Sequence, residues 1–496
     1  MKLRKFFKIF RKKDDENKIK YLNDFKVALI ADQFTYDSFK FEFKVINITP
    51  DNWQDQFKME KPDLFFCESA WDGFNFNGTY GPWHEKIFKN YLVEEENRIE
   101  LLDILEYCRK NDIPSIFWNK EDPVSYNNNM RSFADTAKNF DYIFTSASEC
   151  IPNYEKDYNH SNVFSLMFAA QPRLFNPIND SVEREDGISF AGSYYDDFPE
   201  RAKLMNCIFD RLISNNQKLF IHDRNYNNDC RYFPEKYHDY IYPPIAYHET
   251  PKFYKKYNWG LNFNTVTDSE TMFARRIFEL ALSNTNIITN YSKGVEKIFG
   301  DNVFTFDKDE NLPNFNEEYQ QKRLNNLYTV LESHTYKNRW KQILDTIGFD
   351  YIENDVDVSI IFKINEVNEI NAVIGKFKNI KYDYKKLIIL ASDNENVNKD
   401  EIIEKYTIIN SIYNSKIELS RNIATEYWII ADLSIDDDFI GKSMLHYQYL
   451  DKEISICQGE SKFNFNVEND IDKKLINKIN IGYLINDDSQ IEVYYI

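Results

Sequence analysis

With 496 residues, 43% of them hydrophobic and 28% charged, the chain has length for about three domains with real cores and is too apolar to be disordered. Its net charge of −19 excludes nucleic acid as a partner, because phosphate would be repelled by most of this surface. No run approaches the ~20 apolar residues of a transmembrane helix, and the six scattered cysteines, with no Cys-x-x-Cys, argue against a disulfide framework or zinc site and for a reducing cytoplasm.

The first thirteen residues, MKLRKFFKIFRKK, hold seven cations and no acid. Leu3, Phe6, Phe7 and Phe10 recur at helical spacing. Residues 1–13 therefore read either as a helix for the surface of an anionic membrane leaflet or as a frayed basic tail. This basic segment extends over 1–23. A first α/β unit follows at 24–180, where KVALIA, FKVINI, DLFFCE, SIFW, DYIFTS and VFSLMF read as strands and Leu92–Lys110 as the clearest helix. Residues 169–187, with two prolines and a run of charge, form the connection. A second unit at 181–348 restarts with ISFAG, a helix from about Glu200 to Ser214, and the strands KLFIHD, WGLNFN, NIITN and NVFTF. The fold class is α/β: two Rossmann-like doubly wound domains in tandem, whose strand ends face a cleft where such sheets bind ligands. A third α/β segment at 349–496 carries the strands VSIIFKI, KLIILAS and EYWIIADL, a helix over Glu366–Phe377, and an end that alternates more like antiparallel strands.

TDSETMFARRIFELALSNTNIITN (267–290) is the most informative stretch. Thr267 and Glu270 fit a capping box, so a helix is expected to start there and run to about Ser283. Its N-terminus after a strand would offer free N–H groups to phosphate. Glu279 stands between Phe278 and Leu280 on a largely apolar helix, where a lone carboxylate needs hydrogen bonds. The two hydroxyls of a ribose would suit it, and so would an ion pair with Arg275 or Arg276.

FARRIFELALSNTNIITN resembles the signature of CgeB-like glycosyltransferases, a spore-maturation type within the GT-B superfamily. The resemblance implies that Glu279, in the place of the second Glu of a Glu-x7-Glu motif, binds the donor ribose. The first Glu place falls on Thr271, with Glu270 one residue off. ISFAGSYYDDFPERAKLM (188–205) resembles the opening of the nucleotide-binding half. It implies that Gly192 and Ser193 let the backbone approach the diphosphate, that Arg201 neutralises it, and that Arg275 and Arg276 join the donor site. FFCESAWDG and IFWNKEDP resemble the family's N-terminal strand ends and place Glu68, Asp72, Glu121 and Asp122 at the cleft as candidate bases.

The third segment is similar to the opening of GT-A nucleotide-sugar transferases. Where those enzymes carry a metal-binding Asp-x-Asp, this chain has Asp432-Leu-Ser434 followed by Asp436, Asp437 and Asp438, and the early acidic loop reads ASDNENVNKD. With one carboxylate of the pair lost, a solvated loop on a degenerate GT-A fold is expected, with no metal. Together the resemblances imply a hexosyltransferase moving sugar from a UDP-sugar, without a further cofactor, to a cell-envelope or spore-surface glycan or teichoic-acid-like polymer. It would be cytoplasmic, touching the inner face of the membrane through residues 1–13. A sugar-nucleotide epimerase, a polyol-phosphate transferase and a non-catalytic surface-assembly protein are the alternatives.

Overall fold

The computed structural model describes residues 19–74, 80–179, 184–195, 198–226, 233–308, 311–315, 319–353, 356–392, 407–411, 415–459, 463–480 and 490–496. The basic residues 1–13, Cys230 and positions 393–400 of the early acidic loop lie outside them.

Six short apolar runs form the first sheet: β1 (Lys26–Ile30), β2 (Lys44–Asn47), β3 (Leu64–Glu68), β4 (Ser115–Asn119), β5 (Tyr142–Thr145) and β6 (Val163–Ser165). They lie in the order β2-β1-β3-β4-β5-β6, all parallel. The second sheet is built from β7 (Glu185–Gly192), β8 (Leu219–Asp223), β9 (Ile241–Tyr242), β10 (Tyr257–Asn262), β11 (Asn286–Thr289) and β12 (Phe304–Thr305). Its order is β9-β8-β7-β10-β11-β12, again parallel throughout. The runs are apolar on both faces because both faces are covered. Each sheet has one private core, such as Ala28, Phe65 and Ile104 on the first and Ile188, Phe209 and Ile221 on the second. On its other face each joins a common core that runs from Val27 and Trp118 through Phe278 and Trp340 to Ile360 and Ile429.

The third sheet holds β13 (Val358–Ile364), β14 (Lys385–Ser392), β15 (Thr407–Ser411), β16 (Tyr427–Ala431), β17 (Ser455–Cys457), β18 (Phe465–Glu468), β19 (Lys474–Asn477) and β20 (Ile491–Tyr495). Its order is β15-β14-β13-β16-β19-β17-β20-β18. The first four are parallel; β19 runs antiparallel to β16 and β17, and β18 to β20.

Two elements depart from expectation. The helix expected from Leu92 starts at Ile99, because side chains of Asn90, Glu96 and Asn97 take up the backbone N–H groups of Leu92, Arg98 and Asn90 in a turn instead. The helix Tyr336–Ile347, opened by a Thr335–Asn338 capping box, leaves the second unit and seats on the first. Trp340 Nε1 donates to the Leu22 carbonyl at 3.0 Å, and Arg339 donates to the carbonyls of Met167 and Phe168, both at 2.9 Å. All five described cysteines carry free thiols.

Candidate donor site

In the second sheet, strands follow one another outward from β7 on one side and from β10 on the other, so the chain reverses direction between them. A crevice opens beyond the carboxyl ends of strands at such a switch point. β7 ends at Gly192 and β10 at Asn262, and a cavity of about 290 Å³ lies there. Arg201, Arg224, Arg275, Arg276 and Glu279 line it, with aromatic walls that include Tyr254 and Phe263.

Each side chain arrives by a local reason. Gly192 pairs in register with Asp223 at the end of β8, and the Arg224 N–H donates to the Gly192 carbonyl at 3.2 Å, which brings Arg224 to the pocket. A Cβ on Gly192 would stand 2.7 Å from the Phe190 ring and 3.1 Å from Arg276 Nη2, so the bare backbone here makes room for Arg276. Arg276 donates to the Ala191 carbonyl and, at 3.3 Å, to the Tyr254 hydroxyl. Tyr254 in turn donates to Glu279 at 3.4 Å, and Arg275 Nε stands 3.3 Å from the other oxygen of that carboxylate. On β10, a Cβ at Gly260 would lie 2.5 Å from Leu280, so glycine there lets the Glu279 helix press onto the strand.

The charge balance of the pocket is one-sided. Among the described residues, Arg201, Arg224 and Arg276 have no carboxylate within 4.0 Å, whereas Arg275 is paired with Glu279. Burial, with Arg276 and Arg224 close by, pulls the Arg201 guanidinium down to about 10. Its Nε and the buried Ser193 hydroxyl have no hydrogen-bond partner among the described residues. Buried polar atoms in folded chains are nearly always paired, so both have a hydrogen bond left to make beyond the described residues.

The expected start of the Glu279 helix is corrected. The helix spans Arg276–Leu282, and Thr267 and Glu270 do not cap it. Residues 264–275 instead form a loop held by side chains: Ser269 Oγ accepts from the Met272 N–H at 2.9 Å and Asn264 Oδ1 from the Ala274 N–H at 3.0 Å. These bonds satisfy the donors that a helical turn would have used. Glu270 pairs with Lys293 and Lys297 on the surface. Thr271 turns to the first unit, where its hydroxyl accepts from the Ser148 N–H at 2.8 Å.

The four acceptor-side carboxylates part company. Glu68 is wholly buried, takes hydrogen bonds from the Asp32 N–H and Thr35 hydroxyl, and pairs with Lys120 at 3.1 Å. Asp122 is also wholly buried; Asn119, Thr145 and Tyr154 donate to it, and burial lifts its carboxyl to about 7. Neither presents an oxygen to a cleft, which corrects the expectation for these two. Asp72 is half-buried and bonded to His84. Glu121 is half-buried beside Lys120, and burial raises its carboxyl.

In the third unit each of the four candidate carboxylates has its own partner. Asp432 pairs with Lys473 at 2.7 Å, Asp437 with Lys376 at 2.7 Å and Asp438 with Lys442 at 2.6 Å, while Gln458 donates to Asp436. No cluster of three or more potential metal ligands occurs among the described residues. Replacing Asp432 and Asp436–Asp438 with Asn is expected to leave donor turnover within about two-fold, and EDTA to change it as little. A loss of about a hundred-fold on either treatment would place the chemistry in this unit.

Arg224, Tyr254, Lys120 and Phe34 were not singled out from the sequence. Arg224 and Lys120 carried a signal, each as a cation just past the carboxyl end of an apolar strand.

Residues 208–345, which include four of the five charged groups of the pocket, match the model of a family described as glycosyl transferase-like. That segment is glycosyl transferase-like, and it lies on a fold of two Rossmann-like domains with the pocket at the switch point of the second. Among solved structures, an alpha-glucosyltransferase in complex with UDP and a 13-mer DNA is similar over 66% of this chain and 100% of its own, at 10% identity and a TM-score of 0.44. An alpha1,3-fucosyltransferase is similar over 68% of this chain and 92% of its own (12% identity, TM-score 0.32). A mutant of S. aureus TarM in complex with fondaparinux, alpha-GlcNAc-glycerol and UDP is similar over 51% and 59% (11% identity, TM-score 0.31). Comparison with curated proteins gives no match. No helix among the described residues is long and apolar enough to cross a membrane.

Proposed function

We propose that this chain transfers a sugar from a UDP-sugar to a cell-envelope or spore-surface glycan or a teichoic-acid-like polymer. The observation that carries the reading is the switch-point pocket itself, where, among the described residues, three guanidinium groups without carboxylate partners stand beside one carboxylate, Glu279. A diphosphate brings the negative charge that Arg201, Arg224 and Arg276 lack, and charge-assisted bonds of this kind are the strong ones. A ribose brings the paired hydroxyls for Glu279. In the transfer, the bond from the anomeric carbon to the diphosphate oxygen breaks and its electron pair leaves on UDP. The acceptor oxygen bonds to that carbon and gives up its proton. The cations stabilise the leaving charge, so no metal is called for. On the acceptor side, Glu121 and Asp72 are the carboxylates left to receive that proton, Glu121 being the better poised because burial raises its basicity. The third unit serves packing or acceptor binding as a degenerate GT-A fold.

The test is UDP release from a panel of UDP-sugars, with and without teichoic-acid or glycan acceptors. Release that depends on acceptor supports transfer. Interconversion of the donor without any acceptor would replace this reading with an epimerase on the same fold.

A further inference from the structure

The two units meet on one aromatic ring. Phe34 belongs to the first unit, on the helix Gln33–Phe39 just after β1. The Lys120 ammonium lies over its ring, 4.6 Å from the centroid, and the Arg275 guanidinium lies over the same ring at 3.9 Å. Each cation is tied away from the ring by carboxylates. Lys120 pairs with Asp32 and Glu68, both at 3.1 Å, and Arg275 pairs with Glu279 at 3.3 Å. The negative face of a phenyl ring attracts cations, and more strongly where water is scarce.

We propose that Phe34 is a positioning residue of the donor site, supplied across the cleft by the acceptor-side unit. It is not among the residues that line the cavity. Its work is to hold the Arg275 guanidinium where Nε meets Glu279. Among the described residues, beyond that single ion pair, the Arg275 guanidinium is held only by ring faces, Phe34 and, at 5.6 Å, Tyr247. Lys120 steadies the ring from its own unit, which gives the buried Asp32–Lys120–Glu68 group a use: it anchors the first unit's half of the contact. Donor affinity then depends on the two units being docked, because part of the donor site's geometry comes from the other sheet.

The inference rests on the reading that the Arg275–Glu279 pocket binds the nucleotide. Calorimetric titration of UDP into Phe34→Leu is expected to show affinity about 3- to 30-fold weaker than in the unaltered chain. Donor KM should rise by a similar factor with little change in kcat. Phe34→Tyr and Phe34→Trp, which keep a π face, should restore affinity. Phe34→Met serves if the leucine variant folds poorly. A fall in melting temperature with UDP affinity per folded molecule unchanged, or failure of both aromatic variants to restore affinity, overturns the inference. Glu279→Gln measured alongside separates the two claims. If it too leaves affinity unchanged, the pocket reading fails; if it weakens binding and Phe34→Leu does not, only the role of Phe34 fails.

Discussion

Replacing Glu279 with Gln is expected to weaken UDP binding by about 10- to 100-fold, since a hydrogen bond to a charged group contributes roughly 1.5–3 kcal/mol. The geometry gives that expectation a basis. The carboxylate is 4% exposed and should be well satisfied, yet its partners Arg275 and Tyr254 stand at 3.3 and 3.4 Å. Charge-assisted bonds usually close to about 2.7–2.9 Å. Glu279 is held in place but not saturated, which suits a group that receives ligand hydroxyls. Glutamine keeps the shape and one acceptor, so the fold should survive. If the carboxylate served only the Arg275 pair, the variant would melt earlier while UDP bound as before. Titration of UDP and a melting curve on the same preparation decide between the two.

The second large effect is expected at Lys120. Its ammonium is 6% exposed and is the shared partner of Asp32 and of the wholly buried Glu68. Lys120→Met would strand a buried carboxylate, which costs about 3–5 kcal/mol where one member of a buried pair is removed. For a unit of this size the melting temperature should fall by about 10 °C. The loss has a predicted pH dependence. Burial already raises the Glu68 carboxyl while Lys120 pulls it back, so without Lys120 it rises further. A carboxyl whose folded value lies above its unfolded value contributes stability below the unfolded value and loses it as pH climbs through the folded one. The deficit of Lys120→Met should therefore be largest near neutral pH and shrink as the solution is acidified toward pH ~5. Melting curves of both proteins across that range test this. A deficit that does not change with pH would mean that packing around the lysine stem, not its charge, was lost.

The sequence by itself determined the sheets. KVALIA, DLFFCE, ISFAG and WGLNFN are short, apolar on successive residues and separated by helical stretches, and only parallel strands covered on both faces satisfy that pattern. The resemblance of 188–205 and 273–290 to nucleotide-binding segments implied one site for Arg201, Arg275, Arg276 and Glu279, and the structure lines one pocket with all four. Local signals failed where a distant partner outbid them. The Thr267–Glu270 box was overridden by Ser269 and Asn264 bonding the loop, and by Lys293 and Lys297 taking Glu270. Glu68 and Asp122 looked like cleft carboxylates because strand ends usually reach solvent. Their burial depends on Lys120, 52 residues from Glu68, and on Tyr154, 32 residues from Asp122. The seating of Tyr336–Ile347 on the first unit, and the meeting of Arg275 with Phe34, were likewise decided only by the tertiary structure. Periodicity reports which face of a segment is buried, but not what covers it, and these assignments depend on what covers it.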